Sequence, residues 1–185
     1  SYTVKETQAN IEGYDIEYVK MDGKEVSEGT DKAYTSNTVL TKNGKTVTIE
    51  DAYKVQTGDL TIKKTIDGEN ITDEDLEVLK FTVQNEAGEY LYKDSTGAVK
   101  TDKNKHEIAL GEFDKNNDGT YTLTFEDIEV GKYTVKETQA NIEGYELEYV
   151  KMNGQEVSEG ADKACTSNTV LTKDGKEVTI EDKYK

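Results

Sequence analysis

In GKYTVKETQANIEGYELEYVK (Gly131–Lys151), Tyr133 and Val135 alternate with Lys132, Thr134 and Lys136, and a second alternating run, LEYVK, follows the turn at Gly144. Side chains two apart share one face of a strand, so the stretch reads as two half-buried β-strands joined by a loop. Almost the same residues open the chain, as SYTVKETQANIEGYDIEYVK (Ser1–Lys20). Sliding the sequence by 131 positions lays Ser1–Lys54 on Lys132–Lys185 without a gap, with 44 of 54 positions identical. A period that long is a whole domain, not a solenoid repeat. Residues 55–185 therefore span one complete repeat, and residues 1–54 correspond to the C-terminal part of a preceding one. The chain reads as a piece of a longer tandem array, with VQTG (Val55–Gly58) as a short connection.

Working outward, the same alternation recurs in DLTIKKT, LKFTVQN, GTYTLTFED and KEVTIEDKYK, between turn signals such as AG, NNDG, NG and KDG. Tyrosine outnumbers phenylalanine 12 to 3. This predicts an all-β protein built as an Ig-like β-sandwich. One helical exception is TDEDLEVL, where Thr72 is placed to cap and Asp73, Glu74 and Asp75 suit the positive N-terminus.

The formal charge is −16, with 39 acidic and 23 basic residues, which argues against nucleic acid and anionic lipid as partners. No apolar run approaches the ~20 residues of a membrane span. Cys165 is the only cysteine, so an intrachain disulfide is excluded. It replaces Tyr34 of the other copy and reads as a bystander.

Following each strand face beyond its apolar residues gives an unexpected result. Leu60 and Ile62 are followed by Lys64, Tyr133 and Val135 by Glu137, and Asp182 falls between Ile180 and Tyr184. Charged groups aimed at a core are costly unless they meet. A buried ion cluster, or strand ends where the side chains reach water, is one reading. The other is chemical. Desolvation favours uncharged forms, a neutral amine beside a carboxyl carbon is a nucleophile, and a neighbouring acid can move the protons. Loss of water would leave an amide.

GDLTIKKT, GKYTVKET…EGY and VTIEDKYK resemble the signature segments of collagen-adhesin B-type (CnaB-like) domains, Ig-like stalk modules of Gram-positive surface adhesins and pilins. The resemblance covers residues 58–185. It implies a spontaneous isopeptide crosslink between Lys64 and Asp182, with Glu137 as proton shuttle and no cofactor or metal. Lys63 is the competing amine, but alternation puts it on the opposite face. The chain departs from the family in having no proline, including in the loop after the glutamate. EDAYK (Glu50–Lys54) is similar to the reactive tag peptide of split domains of this kind. Glu6 and Asp51 are the equivalents of Glu137 and Asp182 in the partial repeat, without a matching lysine. That fragment is expected either to lack order or to exchange strands with another copy.

Other signals are weaker. DKNNDG (Asp114–Gly119) opens like a calcium loop, but Phe125 stands where a bidentate glutamate is needed, so a turn is expected. The single histidine, His106, gives a metal site or a hydrolytic triad little to build on. The tyrosines of EGYELEYVKM are expected to pack across strands.

The resemblance implies a structural stalk or spacer in a wall-anchored, extracellular protein, with neighbouring repeats as partners and no enzymatic turnover. The alternative is an adhesive module that contacts host protein or glycan through long loops around Lys93–His106.

Overall fold

The computed structural model describes residues 1–26, 34–157 and 165–185. In chain order its strands are β1 (Tyr2–Glu6), β2 (Tyr14–Met21), β3 (Lys24–Glu25), β4 (Tyr34–Thr38), β5 (Ile49–Val55) and β6 (Thr57–Asp67). After the one-turn helix α1 (Asp73–Leu76) come β7 (Lys80–Asn85), β8 (Tyr90–Lys93), β9 (Val99–Asp102), β10 (Ile108–Ala109), β11 (Asp114–Lys115) and β12 (Tyr121–Glu129). Then follow β13 (Gly131–Gln139), β14 (Leu147–Met152), β15 (Gln155–Glu156), β16 (Cys165–Leu171) and β17 (Lys176–Tyr184). The chain divides into two units, Ser1–Gln56 and Thr57–Lys185.

The larger unit is an Ig-like β-sandwich. One sheet runs β16-β13-β7-β8-β9 with β10 on β7, and the other runs β11-β12-β6-β17-β14-β15. The alternating residues supply its core. Leu60, Ile62, Phe81, Val83, Phe125, Val135, Val150, Val178 and Ile180 are all buried between the sheets. In the second sheet the first and last strands, β6 and β17, lie side by side in parallel, with Leu60 opposite Lys176 and Lys64 opposite Ile180. Parallel pairing needs a long crossover, and here nearly the whole unit provides it.

Local chemistry accounts for the connections. Thr72 caps α1 through a box in which Asp75 N donates to its hydroxyl at 3.3 Å and Thr72 N donates to Asp75 Oδ2 at 2.8 Å. The stretch Lys93–His106, expected to be a long loop, is mostly a hairpin of β8 and β9. Asp94 Oδ1 accepts from the backbone N–H groups of Thr96 (2.8 Å) and Ala98 (3.1 Å), which closes the turn and lets Val99 pack against the core. The tyrosines add hydrogen bonds to their packing: Tyr149 on β14 donates across to Glu181 on β17 (2.9 Å), and Tyr145, packed against the core, donates to the Asn70 carbonyl (2.7 Å).

The smaller unit repeats the pairings of its counterpart. β1 pairs with β4 as β13 does with β16, and β2 pairs with β3 and β5 as β14 does with β15 and β17. Its buried apolar residues among those described are Ala9, Val19 and Met21.

At Gly58 a Cβ would sit 2.2 Å from the backbone oxygen of Thr172. Gly58→Ala therefore forces the start of β6 away from the strand connection beside it, at a cost of about 2 kcal/mol or more. Urea unfolding of the variant checks this.

Candidate functional site

β6 turns Leu60, Ile62 and Lys64 inward, and all three are fully buried, while Lys63 lies on the other face. β17 does the same with Val178, Ile180, Asp182 and Tyr184. The register places Asp182 opposite Ile66, two residues beyond the Lys64–Ile180 pair. A lysine arm is long enough to span that diagonal. Glu137 comes from the facing sheet, where β13 buries it between Phe81 on β7 and Cys165 on β16.

The structure thus brings Lys64, Glu137 and Asp182 together across the sandwich. Lys64 Nζ is 2.7 Å from Glu137 Oε2 and 2.5 Å from Asp182 Oδ1, with every side chain at zero exposure. Beyond these two ion pairs, Nζ, Asp182 Oδ1 and both Glu137 oxygens have no further partner among the described residues. The Phe81 ring centroid lies 5.8 Å from Nζ, and Phe81 packs in turn on Phe113. Burial pushes the Glu137 carboxyl up to about 8, with Lys64 opposing the shift and Asp182 adding to it. Around neutral pH Glu137 is therefore largely a neutral acid, able to give one proton and take another.

A fourth residue belongs to the site. The Tyr184 hydroxyl lies 2.7 Å from the Ala140 carbonyl and 3.0 Å from Asp182 Oδ2. It is tied to the Asp182 oxygen that faces away from the amine, leaving Oδ1 against Nζ. Burial and the adjoining Asp182 carboxyl hold the Tyr184 phenol well above its usual range. By alternation alone Tyr184 reads only as an apolar neighbour of Asp182. The signal for more was present: Asp-Xaa-Tyr occurs in both copies, as Asp51-Ala52-Tyr53 and Asp182-Lys183-Tyr184.

Glu6 and Asp51 lie together in the smaller unit, where burial and the Asp51 charge raise the Glu6 carboxyl. Tyr53 repeats the role of Tyr184, donating to the Ala9 carbonyl at 2.6 Å and reaching Asp51 Oδ2 at 3.2 Å. Glu6 Oε2 and Asp51 Oδ1 are buried, with no hydrogen-bond partner among the described residues.

The calcium-like stretch is a hairpin turn between β11 and β12, in which Asp118 Oδ1 accepts from the Thr120 amide (3.0 Å) and hydroxyl (2.6 Å). His106 stacks on Tyr92, with ring centroids 3.9 Å apart. Among the described residues no helix is long and apolar enough to cross a membrane.

No protein-family model matches the sequence, and no curated protein matches it. Solved structures do. The major pilin from Streptococcus pyogenes aligns over 98% of this chain and 69% of its own at 13% identity, with a TM-score of 0.50. The group B streptococcus pilus 2b backbone protein aligns over 96% of this chain and 52% of its own at 22% identity (TM-score 0.37). The pilus-presented adhesin Spy0125 aligns over 69% of this chain at 24% identity (TM-score 0.33), and the match covers 27% of the adhesin's length. The likeness to the major pilin is one of fold: this chain has a pilin-type β-sandwich architecture.

The Glu137 shift sets a pH dependence. Between its ordinary 4.5 and about 8, the folded unit keeps a proton that the unfolded chain releases, so stability falls as pH rises through that window. In Lys64→Met, which removes the group opposing the shift, urea midpoints should decline across this range. Adding Glu137→Gln, which cannot ionise, should flatten the decline.

Proposed function

We propose that the chain is a force-carrying stalk segment of a Gram-positive surface protein, and that its complete repeat closes on itself through an amide between Lys64 and Asp182. The observation that carries this reading is a lysine amine held against two carboxyls, 2.5 and 2.7 Å away, with no water-accessible surface on any of the three.

The chemistry follows from the arrangement. The uncharged amine attacks Asp182 Cγ, the C–N bond forms, and one C–O bond breaks. Glu137, beside Nζ, takes a proton from the nitrogen and returns one to the departing oxygen, which leaves as water. Atoms balance whether the pair starts as ammonium and carboxylate or as amine and acid. Tyr184 fixes the Asp182 carboxyl, so the amine meets it in a single orientation. Phe81, Val150 and Ile180, the strand partners of Glu137, Asp182 and Lys64, are buried beside them and keep bulk water from the site, which favours condensation over hydrolysis. The reaction runs once per molecule and needs no cofactor, so the chain modifies itself and is not an enzyme.

The bond would close a loop of 117 residues between Lys64 and Asp182. By the chain-entropy model for crosslinks, this is worth up to ~4–5 kcal/mol. Unlike a disulfide, an amide survives reduction. Attachment to a cell wall, end-to-end partnership with neighbouring repeats and display outside the cell all belong to this proposal. The pilin-type fold supports them.

The deciding experiment is the intact mass of the denatured chain. A deficit of about 18 Da, one water, is expected in the parent and not in Lys64→Ala. Full calculated mass in both would sink the amide and leave an unlinked ion cluster. Tyr184→Phe should still link, but the linked fraction after a short refolding interval should fall, by roughly tenfold in rate if one oriented hydrogen bond to the carboxyl is lost.

A further inference from the structure

The complete repeat has four sheet edges among its described residues, and they are not equally protected. At three of them the outermost strand is short and charged: β9 reads VKTD, β11 is DK and β15 is QE. Charges on a short edge strand keep other strands from adding to it, which is how natural sheets remain separate. The fourth edge, β16, is built differently. It is seven residues long, reads CTSNTVL, and contains no charge, proline or glycine. Among the described residues only β13 pairs with it, so its other side has no strand partner.

The β16 side chains that point away from the core are Thr166, Asn168 and Val170, all exposed, Val170 at 59%. They are self-complementary. When a second β16 is laid antiparallel with Asn168 on a two-fold axis, Asn168 faces Asn168 and each Thr166 faces Val170, a pairing of β-branched residues that suits neighbouring strands. Thr134 donates to Asn168 Oδ1 at 3.0 Å, so the Asn168 amide nitrogen is left to donate to the facing amide. The charged residues paired to β16 are Lys132 and Lys136 on β13, beside Val170 and Thr166. Across the two-fold they stand three strand spacings from those of the other copy. That is about 14 Å, beyond the ~8 Å screening length at physiological salt.

We propose that β16 is the docking edge for a second copy of this chain, the two β16 strands pairing antiparallel so that one sheet continues through both molecules. No strand leaves its own sandwich, and the contact does not depend on an amide at Lys64. Because the two-fold axis is perpendicular to the strands, the paired repeats run in opposite directions. Seven paired residues bury less than the ~1,600 Å² of a standard interface, so one contact is weak. TSNT occurs in both copies, as Thr35–Thr38 and Thr166–Thr169, so a tandem array presents this edge once every 131 residues and gains strength by repetition.

Sedimentation equilibrium of the whole chain tests this. A reversible monomer–dimer equilibrium is expected, and it should strengthen as salt is raised, since each chain carries a formal charge of −16 and the edge itself carries none. Asn168→Lys sets two like charges on the axis and should weaken dimerisation roughly tenfold or more, as should Asn168→Asp. Mixing these two variants should restore it. Register is read by cysteine trapping in a Cys165→Ala background. Asn168→Cys meets its own copy within disulfide reach and should give a crosslinked dimer under mild oxidation. Two Thr166→Cys sites lie about 14 Å apart and should not link. A chain that stays monomeric to millimolar concentration in about 0.5 M salt overturns the proposal. So does a dimer unaffected by Asn168→Lys, or one that Thr166→Cys traps as readily as Asn168→Cys.

Discussion

Three ionisable groups placed between two sheets are the constraint on which the complete repeat depends. An ammonium or carboxylate taken from water costs several kcal/mol unless it finds a partner, and a sandwich core offers none of its own. Lys64, Glu137 and Asp182 can occupy that core only as a set. Their meeting requires β6 beside β17 in one register and β13 facing both. A slip of one residue in β6 would turn Lys64 to the outer face and leave two carboxyls buried without a counter-charge, and the same slip in β17 would take Asp182 away from the amine. The cluster therefore specifies the pairing of the first strand with the last, which hydrophobic alternation alone does not determine.

Much of this placement was legible in the sequence because strand geometry has a period of two. Once Leu60 and Ile62 face inward, Lys64 must follow. The same logic turns Glu137 and Asp182 toward the core. Thr72 was equally readable as a cap, since a hydroxyl ahead of three acidic residues has few other uses. The parallel pairing of β6 with β17 was not readable from local pattern, because no turn joins the two strands. The β8–β9 hairpin was hidden for a different reason. Its turn depends on the Asp94 side chain accepting from two backbone N–H groups, and such a turn has no strong Asn-Gly or Asp-Gly signature. The part played by Tyr184 is not legible because its ring satisfies the apolar pattern, while its hydroxyl bonds Asp182 and the Ala140 carbonyl, which periodicity cannot reveal.

The two copies put nearly identical residues in different surroundings. Ile180 and Ile49 belong to the same strand motif, yet one is sealed in a core and the other stands open. The difference lies wholly in the strands that flank them, since β6 and β7 cover the complete repeat and have no counterparts among the described residues of the smaller unit. Burial is thus a property of the assembled sandwich, and the electrostatics follow it. Desolvation is the leading cause of the shifts at both Glu137 and Glu6, but only Glu137 has a lysine opposing it.

The parallel pairing of β6 and β17 also governs length. Strand β6 begins at Thr57 and β17 ends at Tyr184, and because the two run the same way, these ends lie at opposite extremes of one strand pair. The span is about eleven residues, on the order of 35 Å. Unravelled, the 117 residues between Lys64 and Asp182 would reach roughly 400 Å. With the amide in place none of that contour can be drawn out, and a row of such units would behave as a tether of fixed length instead of a spring that lengthens when pulled.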